Sequence, residues 1–426
     1  MVRVEYPERG SVVHTIGIVA DDLTGAADSA VQFAHNGWPT LLSLSDSVET
    51  VRVNAIGGKA FALVSDARAL THELARAATS QAVAKLRAAG ADRLFVKVDS
   101  TGRGSLRGQV EGALESWQSA SRRAVAIVCP AYPQLGRTVE NGRLLVHGQN
   151  AESTAVGRDP VTPLTTGLLT EMLPGSVNLS INDGTSLTLA EKITAQILAG
   201  IRIITVNAVT DSDLALVAEA TDVLGPWAIP VGSGGLAGEV SRRWGQNGCE
   251  GQDQTPPQNE RVLVVISSLH EASRSQHDHL VTHADSRVLQ TLAPGIEDLG
   301  SIEAISAWMA LNFHPVRAAV SVVISPAERG NEMGSAPSVA AGLAQIAKAV
   351  VADGLGTTLV LVGGEGARAV LLRLGATAIT ISGSLHEGIP VGRIEGGALG
   401  GLTVVTKAGG FGATSALTEL VAELLG

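Results

Sequence analysis

Thr15-Ile16-Gly17-Ile18-Val19-Ala20-Asp21-Asp22-Leu23-Thr24-Gly25-Ala26-Ala27-Asp28 is the stretch on which the reading of this chain turns. It opens as a continuous apolar run, the pattern of a parallel strand buried on both faces, and it ends in three carboxylates, a hydroxyl and a glycine. Open α/β sheets bind ligands in the crevice beyond the carboxyl ends of their strands, so these polar groups fall where a site is expected. Asp22 or Thr24 capping a helix that starts near Gly25 accounts for one of them. It does not account for all, and paired acids at a helix entrance repel each other unless a cation or hydroxyl donor offsets them.

A second polar island supplies cations. Leu94-Phe95-Val96 reads as a strand running into Lys97-Val98-Asp99-Ser100-Thr101-Gly102-Arg103-Gly104-Ser105-Leu106-Arg107. Lys97, Arg103 and Arg107 among glycines and hydroxyls suit an anion, because guanidinium forks bind carboxylate or phosphate and glycine lets backbone amides approach. A solvated loop is the plainer alternative. Val64-Ser65-Asp66-Ala67-Arg68 places another acid and arginine at a strand end, as a ligand contact or a surface ion pair.

Strand-like runs near 15–20, 60–65, 93–98, 124–129 and 202–206 alternate with alanine-rich amphipathic stretches at 73–89 and 187–198. This is α/β organisation around mostly parallel sheets. The 426 residues exceed one ordinary core, and the polar stretch 246–259, with Pro256-Pro257, lacks periodicity. It is read as a linker between a domain at 1–245 and another at 260–426. The net charge of −10 argues against nucleic acid as a partner. Cys129 and Cys249 have no metal-ligand spacing and are expected to be reduced, buried thiols. With no apolar leader and no apolar run long enough for a bilayer, the expectation is a cytoplasmic chain with no membrane partner.

The second half carries glycine where the first carries charge. Arg261 to Ile266 and Thr357 to Val362 are strand candidates, the latter followed by Gly363-Gly364-Glu365-Gly366 and a helix expected over 367–374. Strand, glycine turn and helix start can cradle phosphate on backbone amides. Gly364-x-Gly366-x-x-Ala369 also meets the loose dinucleotide fingerprint, a weak signal among 49 glycines. Leu402 to Thr406 delivers Lys407 into Ala408-Gly409-Gly410-Phe411-Gly412, where its ammonium could meet a phosphate, or where the glycines simply make a tight turn. No GxxxxGK[ST], HRD or DFG signature occurs, which excludes a P-loop NTPase and a protein kinase.

Ala20-Asp21-Asp22-Leu23-Thr24-Gly25-Ala26, Lys97-x-Asp99-Ser100-Thr101-x-Arg103-Gly104, Cys129-Pro130-Ala131-Tyr132-Pro133 with Gly136-Arg137-Thr138, and Lys407-x-Gly409-Gly410-Phe411-Gly412 together resemble the four-carbon acid sugar kinases. The similarity runs nearly end to end. It implies an N-terminal domain for the sugar acid, a C-terminal domain for ATP, an active site in the cleft between them, Mg2+ as cofactor and a homodimer. The reaction implied is phosphorylation of a terminal hydroxyl of threonate, erythronate, a 3-oxo-tetronate or a branched 3-oxo acid.

Carried over by motif, the resemblance implies substrate contacts at Asp22, Thr24, Arg68, Lys97, Asp99, Ser100, Thr101 and Arg103. It implies nucleotide contacts at Ser267, Ser268, Gly363, Gly364, Glu365, Gly366, Lys407, Gly409 and Gly410. Arg103 and Arg68 are then expected to hold the substrate carboxylate, Lys97 to bind substrate oxygen or neutralise transferred charge, and Asp22, or Asp21 beside it, to accept the hydroxyl proton. Glu365 either approaches the magnesium ion or stabilises its own helix. Three departures stand out. Relatives usually read Ser-Gly-Ser where this chain has Ile266-Ser267-Ser268, followed by Leu269-His270-Glu271; they read Gly-Gly-Glu/Asp-Thr-Ser where it has Gly363-Gly364-Glu365-Gly366-Ala367; and leucine is common at Gly102. Two other readings stay open: a nicotinamide-dependent dehydrogenase using Gly364, Gly366 and Ala369 with Glu387 on the ribose, and a sugar-acid sensor that has lost ATP use.

Overall fold

The computed structural model describes residues 14–44, 58–159, 161–181, 184–245, 261–284, 288–314, 318–327, 335–352, 357–386 and 388–426. The linker at 246–259, Cys249 and Glu387 lie outside them.

In the first half, strands β1 (Thr15–Ala20), β2 (Thr40–Ser43), β3 (Lys59–Val64), β4 (Arg93–Lys97) and β5 (Val125–Cys129) are followed by a hairpin layer of β6 (Arg137–Glu140), β7 (Arg143–Val146) and β8 (Gln149–Asn150). Then come β9 (Val177–Leu179), β10 (Ile203–Val206) and β11 (Ala228–Gly232). The helices are α1 (Leu23–His35), α2 (His72–Ala88), α3 (Leu106–Ser116), α4 (Leu169–Met172), α5 (Ser186–Leu198), α6 (Asp211–Leu224) and α7 (Gly234–Trp244). The second half contains β12 (Arg261–Ile266), β13 (Leu289–Leu292), β14 (Val320–Ile324), β15 (Thr357–Val362), β16 (Ala378–His386), β17 (Ile389–Glu395) and β18 (Thr403–Lys407). Its helices are α8 (Glu271–His283), α9 (Ile302–Asn312), α10 (Ser335–Val350), α11 (Gly364–Arg373) and α12 (Ala416–Leu425).

The continuous apolar runs are parallel strands covered on both faces, as their patterning predicts. Ile16, Ile18, Phe95 and Ile127 are fully buried, and Phe33 of α1 packs edge-on against Phe95 with ring centroids 6.4 Å apart. The first-half order is β2-β3-β1-β4-β11-β5-β10-β9, all parallel. The second half runs β13-β14-β12-β15-β18 in parallel, then adds the antiparallel hairpin β17-β16. β16 pairs antiparallel with β2, joining the two arrays into one sheet of 15 strands among the described residues.

This topology places two crevices. From β1 the chain goes to β2 and β3 on one side and then returns to β4 on the other, and β12 stands likewise between β14 and β15. Each is a topological switch point, where strand ends diverge and leave room for a ligand. Register aligns the exits: Ala20 pairs with Val64 and Lys97, and Val362 with Ile266 and Lys407. One boundary differs from expectation with consequence. α11 begins at Gly364, not Ala367, so the glycine turn is itself the first helical turn, whose N–H groups have no intrahelical partners.

Candidate active site

Asp22 is both cap and site residue. Its Oδ1 accepts from the Gly25 amide at 2.7 Å, while Oδ2 accepts from the Thr24 hydroxyl at 2.9 Å and from Arg68 Nη1 at 2.5 Å. Asp21 is wholly buried behind it and takes the other edge of Arg68, Nε to Oδ2 at 2.9 Å and Nη2 to Oδ1 at 3.0 Å. Burial pushes the Asp21 carboxyl up, against the pull of Arg68 and Lys97 and with added repulsion from Asp22. Lys97 is almost completely buried over the first turn of α1: a methyl on Gly25 would stand 3.0 Å from its Nζ and 3.5 Å from Asp21 Oδ1.

The Lys97 to Arg103 loop continues an alternating ladder of charge. Arg68 Nη2 lies 3.8 Å from Asp99 Oδ1, Arg103 grips Asp99 at 2.9 and 3.1 Å, and Arg103 Nη1 donates to Asp159 Oδ2 at 3.0 Å. Burial alone would raise the Asp99 carboxyl, but Arg103 and Arg68, with hydrogen bonds from Arg103 and Thr101, hold it well below the usual carboxylate range. Ser100 and Thr101 are buried beside it, and the Thr101 hydroxyl donates to Asp99 Oδ2. Gly102 is left-handed, with φ of 80°, and a methyl there would stand 2.6 Å from Leu144 of β7. The leucine that the resemblance leads one to expect has no room here, because the hairpin layer sits on the loop.

Three residues of the same stretches do other work. Asp28 faces the start of α7, where a methyl on Gly234 would stand 2.5 Å from its Oδ2. Arg107 pairs with Glu111 at 2.7 Å on the surface of α3. Asp66 pairs at 3.3 Å with Arg368 of α11 and so ties the two halves together.

On the other wall, Ser267 and Ser268 leave β12 with both amides bonded to Val362 O, at 3.0 and 3.3 Å. Gly363, with φ of 104°, lies where a methyl would stand 2.7 Å from Ser267 Oγ. A methyl on Gly364 would stand 3.1 Å from Asp22 Oδ2, so the glycine turn closes directly on the acid. Glu365 is exposed in the first turn of α11. Gly409 presses against Ser268, Gly410 faces His270, and Gln276 ties the Phe411, Gly412 and Ala413 carbonyls at 2.9, 3.1 and 2.9 Å.

Lys407 points into its own turn. Its side chain is wholly buried, its Nζ donates to Phe411 O at 2.6 Å and Ala408 O at 3.2 Å, and burial pulls its pKa down to about 8. In this structure the ammonium orders the glycine turn from inside.

The departures at 267 and 366 are one exchange of volume. A methyl on Gly366 would overlap the Ser267 side chain, so the serine occupies the space that a threonine at 366 would fill above a glycine at 267. Gly366→Thr alone is expected to cost about 2–3 kcal/mol and to weaken ATP use. Ser267→Gly combined with it should recover both, as read from urea midpoints and KM for ATP. A double variant no better than the single one would rule out the exchange.

Three functional candidates escaped the sequence reading. Asp159 arrives from an irregular segment with no motif. Arg137 was visible only within Gly136-Arg137-Thr138. His270 caps α8, its Nδ1 accepting the Ala272 amide at 3.1 Å, so the neutral ring carries its proton on Nε2. Burial, with Arg103 and Lys407, lowers its pKa against Asp159 and Glu271. These charges from both halves place it across the cleft.

Comparison with known proteins finds a family model for each half. The family described as the sugar-binding N-terminal domain matches residues 16–240, and the nucleotide-binding C-terminal domain matches residues 263–417. The chain belongs to the four-carbon acid sugar kinase family. It is 38% identical to the D-threonate kinase of Bordetella bronchiseptica, over 93% of this chain and 94% of that one. It is 24% identical to the 3-oxo-tetronate kinase of Brucella melitensis, over 93% of each. A Bordetella bronchiseptica protein crystallised with citrate as a domain-swapped dimer is 36% identical, with a TM-score of 0.50 over 96% of this chain and 98% of that one. A Salmonella typhimurium crystal structure shares the fold at 20% identity, with a TM-score of 0.75 over 95% and 98%. No helix among the described residues of this sugar-acid kinase relative is long and apolar enough to cross a membrane.

Proposed function

We propose that this chain is an ATP-dependent kinase acting in the cytoplasm, which phosphorylates the terminal hydroxyl of a four-carbon sugar acid, with D-threonate the first candidate. The observation that carries the reading is the approach of the α11 glycine turn to Asp22. It brings a phosphate-type cradle on one switch point against an acid, a lysine and two arginines on the other. The proposed halves are the sugar-acid domain 1–245 and the nucleotide domain 260–426.

Phosphoryl transfer depends on alignment, neutralised charge and excluded water, and each has a residue here. Asp22, whose side chain is 18% exposed where Asp21 is sealed, takes the hydroxyl proton. A carboxylate is a weak base toward an alcohol, so its work is orientation and late proton capture. Arg68 fixes both acids, and Lys97 offsets negative charge beside them. Among the described residues no cluster of three or more His, Cys, Asp or Glu could hold an ion by itself. Magnesium fits as an ion carried by the nucleotide, with Asp22 and Glu365 the carboxylates bordering the glycine turn, and it would neutralise phosphate charge.

ADP release with magnesium and ATP, against D-threonate, D-erythronate and their 3-oxo forms with an ATP-only blank, tests the reading. Substrate-dependent ADP is expected. Acid binding without ATP binding would favour a sensor, and nicotinamide reduction with a hydroxy acid would favour a dehydrogenase.

We also propose a homodimer, in line with the dimer of the 36% identical Bordetella relative, with closed subunits in which β16 pairs with β2 of its own chain. With ATP held far below the KM of the lysine variant, mixing Asp22→Asn and Lys407→Met chains should then restore no activity. Recovery toward about a quarter of wild type would instead show exchanged halves, since a swapped mixed dimer regains one intact site.

A further inference from the structure

Arg68 and Arg103 were expected to hold the substrate carboxylate, yet each already gives three donor contacts to protein carboxylates: Arg68 to Asp21 and Asp22, Arg103 to Asp99 and Asp159. A guanidinium committed on three sides keeps two N–H groups and little uncompensated charge. Arg137 is different. Among the described residues no carboxylate lies within ion-pair distance of it, and its Nε is buried without a hydrogen-bond partner. The β6–β7 hairpin that carries it sits on the Lys97 to Arg103 loop, with Leu144 against Gly102, and the charges acting on it are those of Asp99 and Arg103, so it lies beside that pair, beyond Arg68 from Asp22.

Its backbone is fixed for the purpose. Arg137 follows Gly136, which is left-handed with φ of 67°, exchanges hydrogen bonds with Tyr132 at 2.8 and 3.1 Å, and donates through Nη1 to Leu135 O. Partial burial lowers its pKa, but a guanidinium stays charged at any physiological pH, so a half-buried positive charge with no ion-pair partner among the described residues is held in the wall. A buried charge without a partner costs free energy that an incoming anion would recover.

We propose that Arg137 is the residue that receives the carboxylate of the substrate, so that the acid lies along the ladder with its carboxylate at Arg137 and its terminal hydroxyl at Asp22. This rests on the sugar-acid kinase reading above. It makes Arg137 the discriminator between an acid and a neutral polyol of the same shape.

The test compares D-threonate with its uncharged amide in wild type, Arg137→Gln and Arg137→Lys, at saturating ATP. In Arg137→Gln, KM for threonate should rise about 50-fold, with KM for the amide and for ATP changed by less than about threefold, so the preference for acid over amide collapses. Arg137→Lys keeps charge without the fork and should retain part of that preference. It decides the matter if the glutamine variant fails to fold. An Arg137 variant that folds, turns over and keeps the wild-type preference overturns the assignment alone. A wild type that phosphorylates no acid overturns the kinase reading, and the assignment with it.

Discussion

Asp22→Asn is expected to lower kcat by about 1,000-fold while leaving ATP affinity and the fold nearly intact. Asparagine caps a helix about as well as aspartate, so the Gly25 amide keeps its acceptor and the Thr24 hydroxyl keeps a partner. What disappears is the one acid of the pair that faces the cleft, 18% exposed against 0% for Asp21. Asp21 cannot substitute, because both its oxygens are held by Arg68 and sealed from substrate. Loss of the Arg68 contact should cost about 1–2 kcal/mol of stability. The check is kcat beside the urea midpoint. Turnover that survives the substitution removes Asp22 from the transfer, and a collapse of both quantities together would reduce it to a cap.

Lys407→Met should raise KM for ATP by about 50-fold or more, with a melting temperature at or above that of the wild type. The opposing directions follow from burial. The gap between the usual 10.5 and about 8 corresponds to roughly 3 kcal/mol spent on keeping the ammonium charged inside the protein at neutral pH. The sign is the reverse of a surface salt bridge. Below about pH 8 the group is charged in folded and unfolded chains alike, and the penalty is fully present. From about 8 to 10.5 the unfolded chain holds a proton the folded one has released, so the penalty fades as pH rises. Methionine removes that cost, and Gln276 still binds the Phe411, Gly412 and Ala413 carbonyls. The Nζ bonds to Phe411 O and Ala408 O are lost, and with them the set of the glycine turn. In the wild type, kcat/KM for ATP should fall about tenfold per unit above about pH 8, a limb that Lys407→Arg should flatten. An unchanged KM would take Lys407 out of nucleotide binding.

The parts of this site legible in sequence are those carried by one strand and its exit. Thr15 to Asp22 and Thr357 to Gly366 each write a buried parallel strand and a polar or glycine turn within a few residues, and local pattern suffices for both. The pairing of β16 with β2 is a contact between distant segments that no local period encodes, so the single sheet was invisible. Arg137 and Asp159 were illegible for a related reason. Arg137 reaches the loop at Asp99 through the hairpin layer, whose short strands carry no strong alternation, Asp159 reaches it from an irregular segment, and only the fold shows which cations other carboxylates have already claimed. A lysine before glycines suggests a phosphate ligand; the direction of Lys407, into the carbonyls of its own turn, depends on packing around Gly412 by Gln276 of α8 and Ala416 of α12, which local pattern does not encode.

The most direct test of the account is the proton-coupled phosphorus-31 NMR spectrum of wild-type enzyme with ATP, magnesium and D-threonate. Transfer to the terminal hydroxyl predicts a new phosphomonoester split into a triplet by two methylene protons, growing in step with ADP. A doublet would place the phosphoryl group on a secondary hydroxyl, and inorganic phosphate alone would mean that water, not the sugar acid, is the acceptor in this cleft.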